Sequence, residues 1–254
     1  MHSSEKAGHT FLASLGKTRL RPGGIEATEW LLSQVRLTPE TKVLEIACNM
    51  GTTSIALAQR FGCTVFAVDM DKKALDAARQ NVAAAGLEDK IHISEANASK
   101  LPFSDESFDI VINEAMLTMY VDKAKVKLAG EYYRVLKRGG HLLTHDIMYT
   151  GSELQESRHA QLEQVVKSNV SPMTKPGWEQ LFLHCGFHKV YSQYGKMSLM
   201  SPGGLIKDEG GLRALKIIYN GLRTRANRQR FIAMFRFFRR NSRRLNYIVC
   251  CSQK

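Results

Sequence analysis

Short apolar runs recur along the first 150 residues, and each is followed by a stretch with helical spacing. Val43, Leu44 and Ile46 form one run and Cys63 to Val68 a second, the β-branched kind that becomes a buried parallel strand. Ser54 to Gln59 begins a helix between them, and Lys72 to Ala85 forms the next. Lys90 to Ser94 reads as a third strand and Ser107 to Glu114 as a fourth. A helix over Lys123 to Leu136 is then stopped by Lys137-Arg138-Gly139-Gly140, basic and glycine residues of the type that ends helices. His141 to Asp146 makes strand five, His188 to Leu199 strand six and Tyr247 to Ser252 the last. Alternating strands and helices predict an α/β, Rossmann-like doubly wound sheet of seven strands, mostly parallel.

The remaining segments fill in around that sheet. Met1 to Gly16 is polar without sustained periodicity and is predicted to be mobile at its start. Leu20-Arg21-Pro22-Gly23-Gly24 is a punctuated turn before a helix over Ile25 to Val35, and its adjacent glycines leave the first N–H groups free for an anion or carboxylate. Gly151 to Asn169 reads as a polar helix, broken by Pro172 to Pro176 before Gly177-Trp178 opens another. In place of a short hairpin before the last strand, a helical insertion spans 201–246, with helices over Gly211 to Gly221 and Asn227 to Asn241. The expected organisation is a cap segment (1–24), a core (25–200), the basic insertion (201–246) and the closing strand (247–254).

The chemistry concentrates where the first two strands end. Glu45, Ala47, Asn49 and Gly51 lie two apart in the turn after strand one. A pyrophosphate site needs G-x-G-x-x-G, which this turn does not spell; a cofactor without phosphates asks less of it. Asp69, followed by Met70, closes the second strand, where an acid grips a ribose diol. The order of strand, turn, helix, strand and acid resembles the class I S-adenosylmethionine (SAM)-dependent methyltransferases, whose turn reads roughly (Asp/Glu)-x-Gly-x-Gly-x-Gly, and the resemblance implies that the last strand of the sheet runs antiparallel. Ala47 and Asn49 replace two of those glycines, and Asn tolerates left-handed backbone. A tight turn in another α/β protein is the competing reading.

The resemblance implies further residues. Asn97 and the Ala98 amide fall where that family reads the adenine edge, and Glu114 where the methionine end of SAM lies. Gly23-Gly24-Ile25-Glu26-Ala27-Thr28 resembles the Gly-Gly-Leu-Glu-Ala-Thr segment with which phosphoethanolamine (phosphobase) N-methyltransferases cover SAM. Asp146 matches that family's catalytic Asp; its partner His is absent because position 150 is Thr, which leaves His145 as a substitute on the opposite strand face. The family's upstream tyrosines are absent too, since Tyr120 is the first tyrosine in the chain.

Composition narrows the class. The 254 residues are 44% hydrophobic, and no apolar run approaches the roughly 20 residues of a membrane span. The Met-His-Ser-Ser-Glu start carries no secretory signal, so the cytoplasm is the expected location. Five cysteines without C-x-x-C spacing favour neither a zinc site nor a disulfide framework, and no metal is expected. The net charge is +12, and twelve Lys and Arg with no Asp or Glu follow Arg213 inclusive, so the whole excess lies at the C-terminal end. There Phe231, Met234, Phe235 and Phe238 share one helix face, and Arg236, Arg239, Arg240 and Arg243 crowd the other, where guanidinium groups suit a substrate phosphate. The expected activity is methyl transfer from SAM to a small-molecule acceptor, an amine carrying phosphate or carboxylate. One alternative places the acceptor on RNA or lipid at an anionic surface; another is a non-catalytic binding protein on the same fold.

Overall fold

A computed structural model describes residues 7–151 and 156–254. Its seven strands form one sheet in the order 3-2-1-4-5-7-6. The apolar runs become β1 (Lys42–Ile46), β2 (Thr64–Asp69), β3 (Ile91–Glu95), β4 (Phe108–Glu114) and β5 (Leu136–Tyr149), all parallel. β7 (Leu245–Gln253) inserts between β5 and β6 (Lys189–Lys196) and runs antiparallel to both. β5 begins five residues before its predicted start. The glycine stop after the preceding helix is itself in the ladder, where Gly139 adopts φ +77 and donates to the Lys254 carbonyl.

Strand faces alternate between two apolar layers, as period-two side chains require. Val43, Val65 and Ala67 face one cluster with Leu57 of α3 (Thr52–Phe61), Leu75 of α4 (Lys72–Ala84) and Leu31 of α2 (Gly24–Ser33). Leu44, Val111 and Leu142 face the other, with Tyr132 of α5 (Asp122–Val135) and Trp178 and Phe182 of α7 (Lys175–His184). Fully burying side chains of this size contributes roughly 1.5–3 kcal/mol each. The strands therefore read as continuous apolar runs.

A helical cap covers the carboxyl edge of the sheet. It contains α1 (Gly8–Ser14), α8 (Pro202–Glu209), α9 (Gly211–Arg223) and α10 (Arg225–Arg240), with α6 (Glu156–Val166) packed beside α1 and α10. Phe11, Leu12 and Leu15 interlock there with Leu205, Ala214, Ile217, Phe231 and Met234. The N-terminal segment is thus a packed helix where the sequence suggested a polar arm; Met1 to Lys6 lie outside the described residues. Helix α8 was not anticipated, although Ser201 caps it by accepting from the Gly204 N–H at 3.0 Å and Pro202 opens it. Buried Lys17 bridges to Asp208 at 3.0 Å, and Glu209 accepts from the Thr18 N–H at 2.8 Å, latching the N-terminal segment onto α8.

Candidate functional site

The turn after β1 is held in an unusual conformation. Ala47, Asn49 and Gly51 have φ values of 55, 49 and 74, all left-handed. For an alanine this costs about 1–2 kcal/mol, strain that persists only where surroundings impose it. The surroundings here include Asp69, whose Oδ2 accepts from the Asn49 N–H at 2.9 Å while Oδ1 accepts from the amides of Met70 and Asp71. The turn and the acid closing β2 therefore meet, as the sequence suggested. They line a cleft of about 280 Å³ with Glu45, Glu114, Arg19, Arg21 and Thr53. Met70 itself stands largely in solvent.

Glu114, at the end of β4, is the hub of that cleft. It accepts from Arg21, from Thr28 Oγ1 at 2.6 Å and from Thr53 Oγ1 at 3.0 Å. His145 Nε2 accepts from the Gly23 N–H at 2.9 Å, so its Nδ1 carries the proton and donates to Glu114 at 3.2 Å. Burial alone would raise the Glu114 pKa, but the Arg21 charge and the His145 hydrogen bond outweigh it and hold the carboxyl well below its usual range. Glu45 behaves oppositely. Burial pushes it up to about 7, opposed by the Ser54 hydroxyl and reinforced by the charge on Glu114.

These contacts reassign several expected residues. His145 is buried with both ring nitrogens engaged inside the protein, so it fastens the N-terminal turn to the sheet and has no free nitrogen for a proton transfer. Gly23 and Gly24 pack against protein: a Cβ on Gly23 would meet Ala27 and Tyr247 at 2.6 Å, and one on Gly24 would meet Asp208 at 2.4 Å. The anion at that helix start is internal, because Asp208 accepts from the Ile25 N–H at 2.9 Å. Asn97 is exposed, uses its side-chain oxygen on the Ser99 N–H at 2.9 Å and does not line the cleft, while Ala98 is buried in the core. Arg236, Arg239, Arg240 and Arg243 all point to solvent, because the opposite face of α10 is spent on packing through Phe231, Met234 and Phe237. A phosphate clamp inside the site is not what they form.

Asp146 emerges on the other face of β5. Its carboxylate accepts from the Thr118 N–H at 3.0 Å, the Thr118 hydroxyl and the Ile147 N–H at 2.8 Å, while burial raises its pKa. It forms part of a second, smaller cavity of about 70 Å³, otherwise walled by Leu12, Met119, Leu199, Met234 and Phe238 among others. Among the described residues, no Lys or Arg lines this cavity. His9, Leu20, Ala115 and Met119 belong to both walls, so the two spaces adjoin. Packing lowers the His9 pKa against the raising influence of Asp69 and Asp71, and the imidazole stays accessible from the cleft.

The cleft suits SAM on the chemistry of its donors. Arg19 and Arg21 each keep a buried Nε without a hydrogen-bond partner among the described residues, spare donors for a carboxylate. Glu45 and Glu114 offer negative charge for an ammonium, and Asp69 retains lone pairs for ribose hydroxyls. Sequence reasoning passed over Arg21, Arg19 and His9. Their only signal was their position in the turn before Gly23 and in an N-terminal stretch read as polar.

A family model described as a methyltransferase domain matches residues 43–140, which hold the turn, Asp69 and Glu114. The chain is 50% identical to an uncharacterized protein of Haemophilus influenzae over 99% of its own length and all of that protein's. It is 35% identical to the methyltransferase GfsG of Streptomyces halstedii over 52% of this chain, but spans only 47% of that relative. Among solved structures it resembles a Haemonchus contortus phosphoethanolamine N-methyltransferase 2 in complex with S-adenosyl-L-methionine (TM-score 0.77, 18% identity), covering 97% of this chain and 56% of that one. At that identity the likeness speaks to fold.

Proposed function

We propose that the chain is a SAM-dependent methyltransferase, in line with the methyltransferase-domain match over 43–140, and that it methylates a small acceptor with an apolar body and an N–H or O–H group, without a phosphate. The observation that carries this reading is the shared wall: His9, Leu20, Ala115 and Met119 separate the cofactor cleft from an apolar cavity whose lining, among the described residues, has one carboxylate and no Lys or Arg. Asp69 would hold the ribose, Arg19 and Arg21 the carboxylate, and Glu45 with Glu114 the ammonium of SAM. Bound SAM supplies an electrophilic methyl group on a sulfonium. Asp146, already fixed by three donors, has lone-pair capacity left to accept from the acceptor and orient it. His9, kept neutral by its lowered pKa, is placed to take the acceptor's proton. The walls of the cavity exclude water, and methyl transfer otherwise asks mainly for alignment at about 3–3.5 Å.

Calorimetric titration with SAM tests the first half: the wild type binds, and Asp69→Ala loses at least tenfold in affinity. An acceptor screen with radiolabelled SAM tests the second. Turnover of lipophilic amines or phenols in preference to phosphoethanolamine supports the reading, and the reverse order overturns it.

A further inference from the structure

Helix α9 carries two apolar faces, and only one is used by the fold. Ala214, Ile217 and Gly221 are buried against the cap, where Ala214 and Ile217 join its apolar cluster. Leu212, Leu215, Tyr219 and Leu222 lie on another side and are 89%, 65%, 63% and 40% exposed. At 3.6 residues per turn these four fall within an arc of about 80°. Three aliphatic side chains and a tyrosine in one open stripe are unusual on a surface helix. The same helix carries Arg213, Lys216 and Arg223, all exposed; Lys216 and Arg223 fall within about 40° of Leu212 at one edge of that stripe, and Arg213 lies further round on the same side. Arg213 lies 3.9 Å from Glu209, and among the described residues no ion pair involves Lys216 or Arg223. No acidic residue follows Arg213 in the chain, so the neighbouring surface of α10 adds further positive charge.

We propose that this outer face of α9 docks the protein on an anionic lipid bilayer, the helix lying in the interfacial plane with Leu212, Leu215, Tyr219 and Leu222 among the acyl chains. An interfacial helix needs an apolar stripe flanked by Lys and Arg, and the tyrosine suits the headgroup boundary. Charge complementarity selects the sign of the lipid. Nucleic acid fits the basic residues but not the stripe, because bases are held by stacking on aromatic or guanidinium planes and the most exposed members here are leucines. The inference stands apart from the acceptor assignment: none of these residues lines the cofactor cleft or the cavity beside it.

The test is flotation of the full chain with vesicles of phosphatidylglycerol in phosphatidylcholine, against phosphatidylcholine alone and against unmodified tRNA. Binding to the anionic vesicles is expected, weakening as salt rises. Each basic residue near an anionic surface contributes roughly fivefold, so Arg213→Gln/Lys216→Gln/Arg223→Gln lowers partitioning about 100-fold. Leu212→Ser/Leu215→Ser lowers it at least tenfold by removing inserted apolar area. Tyr219→Trp gives a blue-shifted emission on anionic vesicles only. All three variants alter exposed side chains and retain wild-type SAM affinity. Absence of vesicle binding overturns the proposal, as does binding that the leucine variant leaves unchanged. Binding to tRNA without binding to vesicles overturns it in favour of a nucleic-acid surface.

Discussion

Replacing Arg21 with methionine removes the guanidinium paired with Glu114 while roughly keeping the side chain's bulk. The pair is close to buried, with side-chain exposures of 9% and 11%. Breaking a buried pair by deleting one partner costs about 3–5 kcal/mol, because the remaining charge is stranded. Here Thr28, Thr53 and His145 still donate to Glu114, so the lower end, about 3 kcal/mol, is the expected loss. For a chain of this size that corresponds to a fall in Tm of about 6–12 °C. The sign of the pH dependence is fixed by the depressed Glu114 pKa. Stability from such a carboxylate is present above its unfolded value, about 4.3, and is lost as pH falls through the folded value. Without Arg21, burial raises the Glu114 pKa, so the variant's carboxylate protonates first and sheds its stranded charge. The gap between wild type and variant should be widest near neutrality and narrow towards about pH 4, as read by urea unfolding followed by circular dichroism. Arg21→Met/Glu114→Gln should recover part of the loss. A gap below about 0.5 kcal/mol, or one that widens in acid, refutes the reasoning.

Glu45→Gln should stabilise the apoprotein by about 1–3 kcal/mol near pH 8 and by almost nothing near pH 4, because the fold around a buried acid raised to about 7 loses stability as pH rises from the acid's unfolded value of about 4.3 to the folded one; urea unfolding at both pH values checks this. For the same reason, wild-type SAM affinity measured by calorimetry should tighten from about pH 6 to pH 7.5 as Glu45 gains its charge, and Glu45→Gln should flatten that profile. Lys17→Met should cost roughly 3 kcal/mol and speed proteolysis of the N-terminal segment, since it strands Asp208 and Glu209 in the latch. Arg239→Gln/Arg240→Gln should change neither SAM affinity in calorimetry nor stability by more than about 0.5 kcal/mol, because both side chains are solvated.

The sheet was legible because its signal is local. A strand buried on both faces must be apolar throughout, so β1, β2 and β4 announced themselves as short runs, whereas the antiparallel direction of β7 was not local and came only with the family resemblance. The Asn in the turn was readable as well, since its side chain tolerates the left-handed backbone that it adopts. Short helices gave less warning. The α1 segment has only Phe11, Leu12 and Leu15 to show, too few positions for a period, and it is helical because the cap offers those residues somewhere to go. β5 was begun five residues late because Lys137-Arg138-Gly139-Gly140, read as a helix stop, already lies within the strand, while α5 itself ends at Val135.

The site was legible in proportion to how much of it hangs on strand ends. Glu45, Asp69 and Glu114 could be placed because each closes or nearly closes a parallel strand, and the carboxyl edge of such a sheet is where ligands bind. Residues that reach that edge from elsewhere carry no such marker. Arg21 stands 93 positions from its partner Glu114, and Asp208 stands 183 from the Ile25 amide that it caps. The arginines in and just after α10 misled for a related reason: spacing separates an apolar face, readable as core packing, from a basic one, but does not say whether the basic face meets the site or solvent. Here the aromatic face was needed to roof the cavity beside Asp146, through Met234 and Phe238, and that requirement turned the charge outward. A basic helix before the last strand therefore shapes the cavity beside Asp146 through its apolar face, and its charge remains turned to solvent.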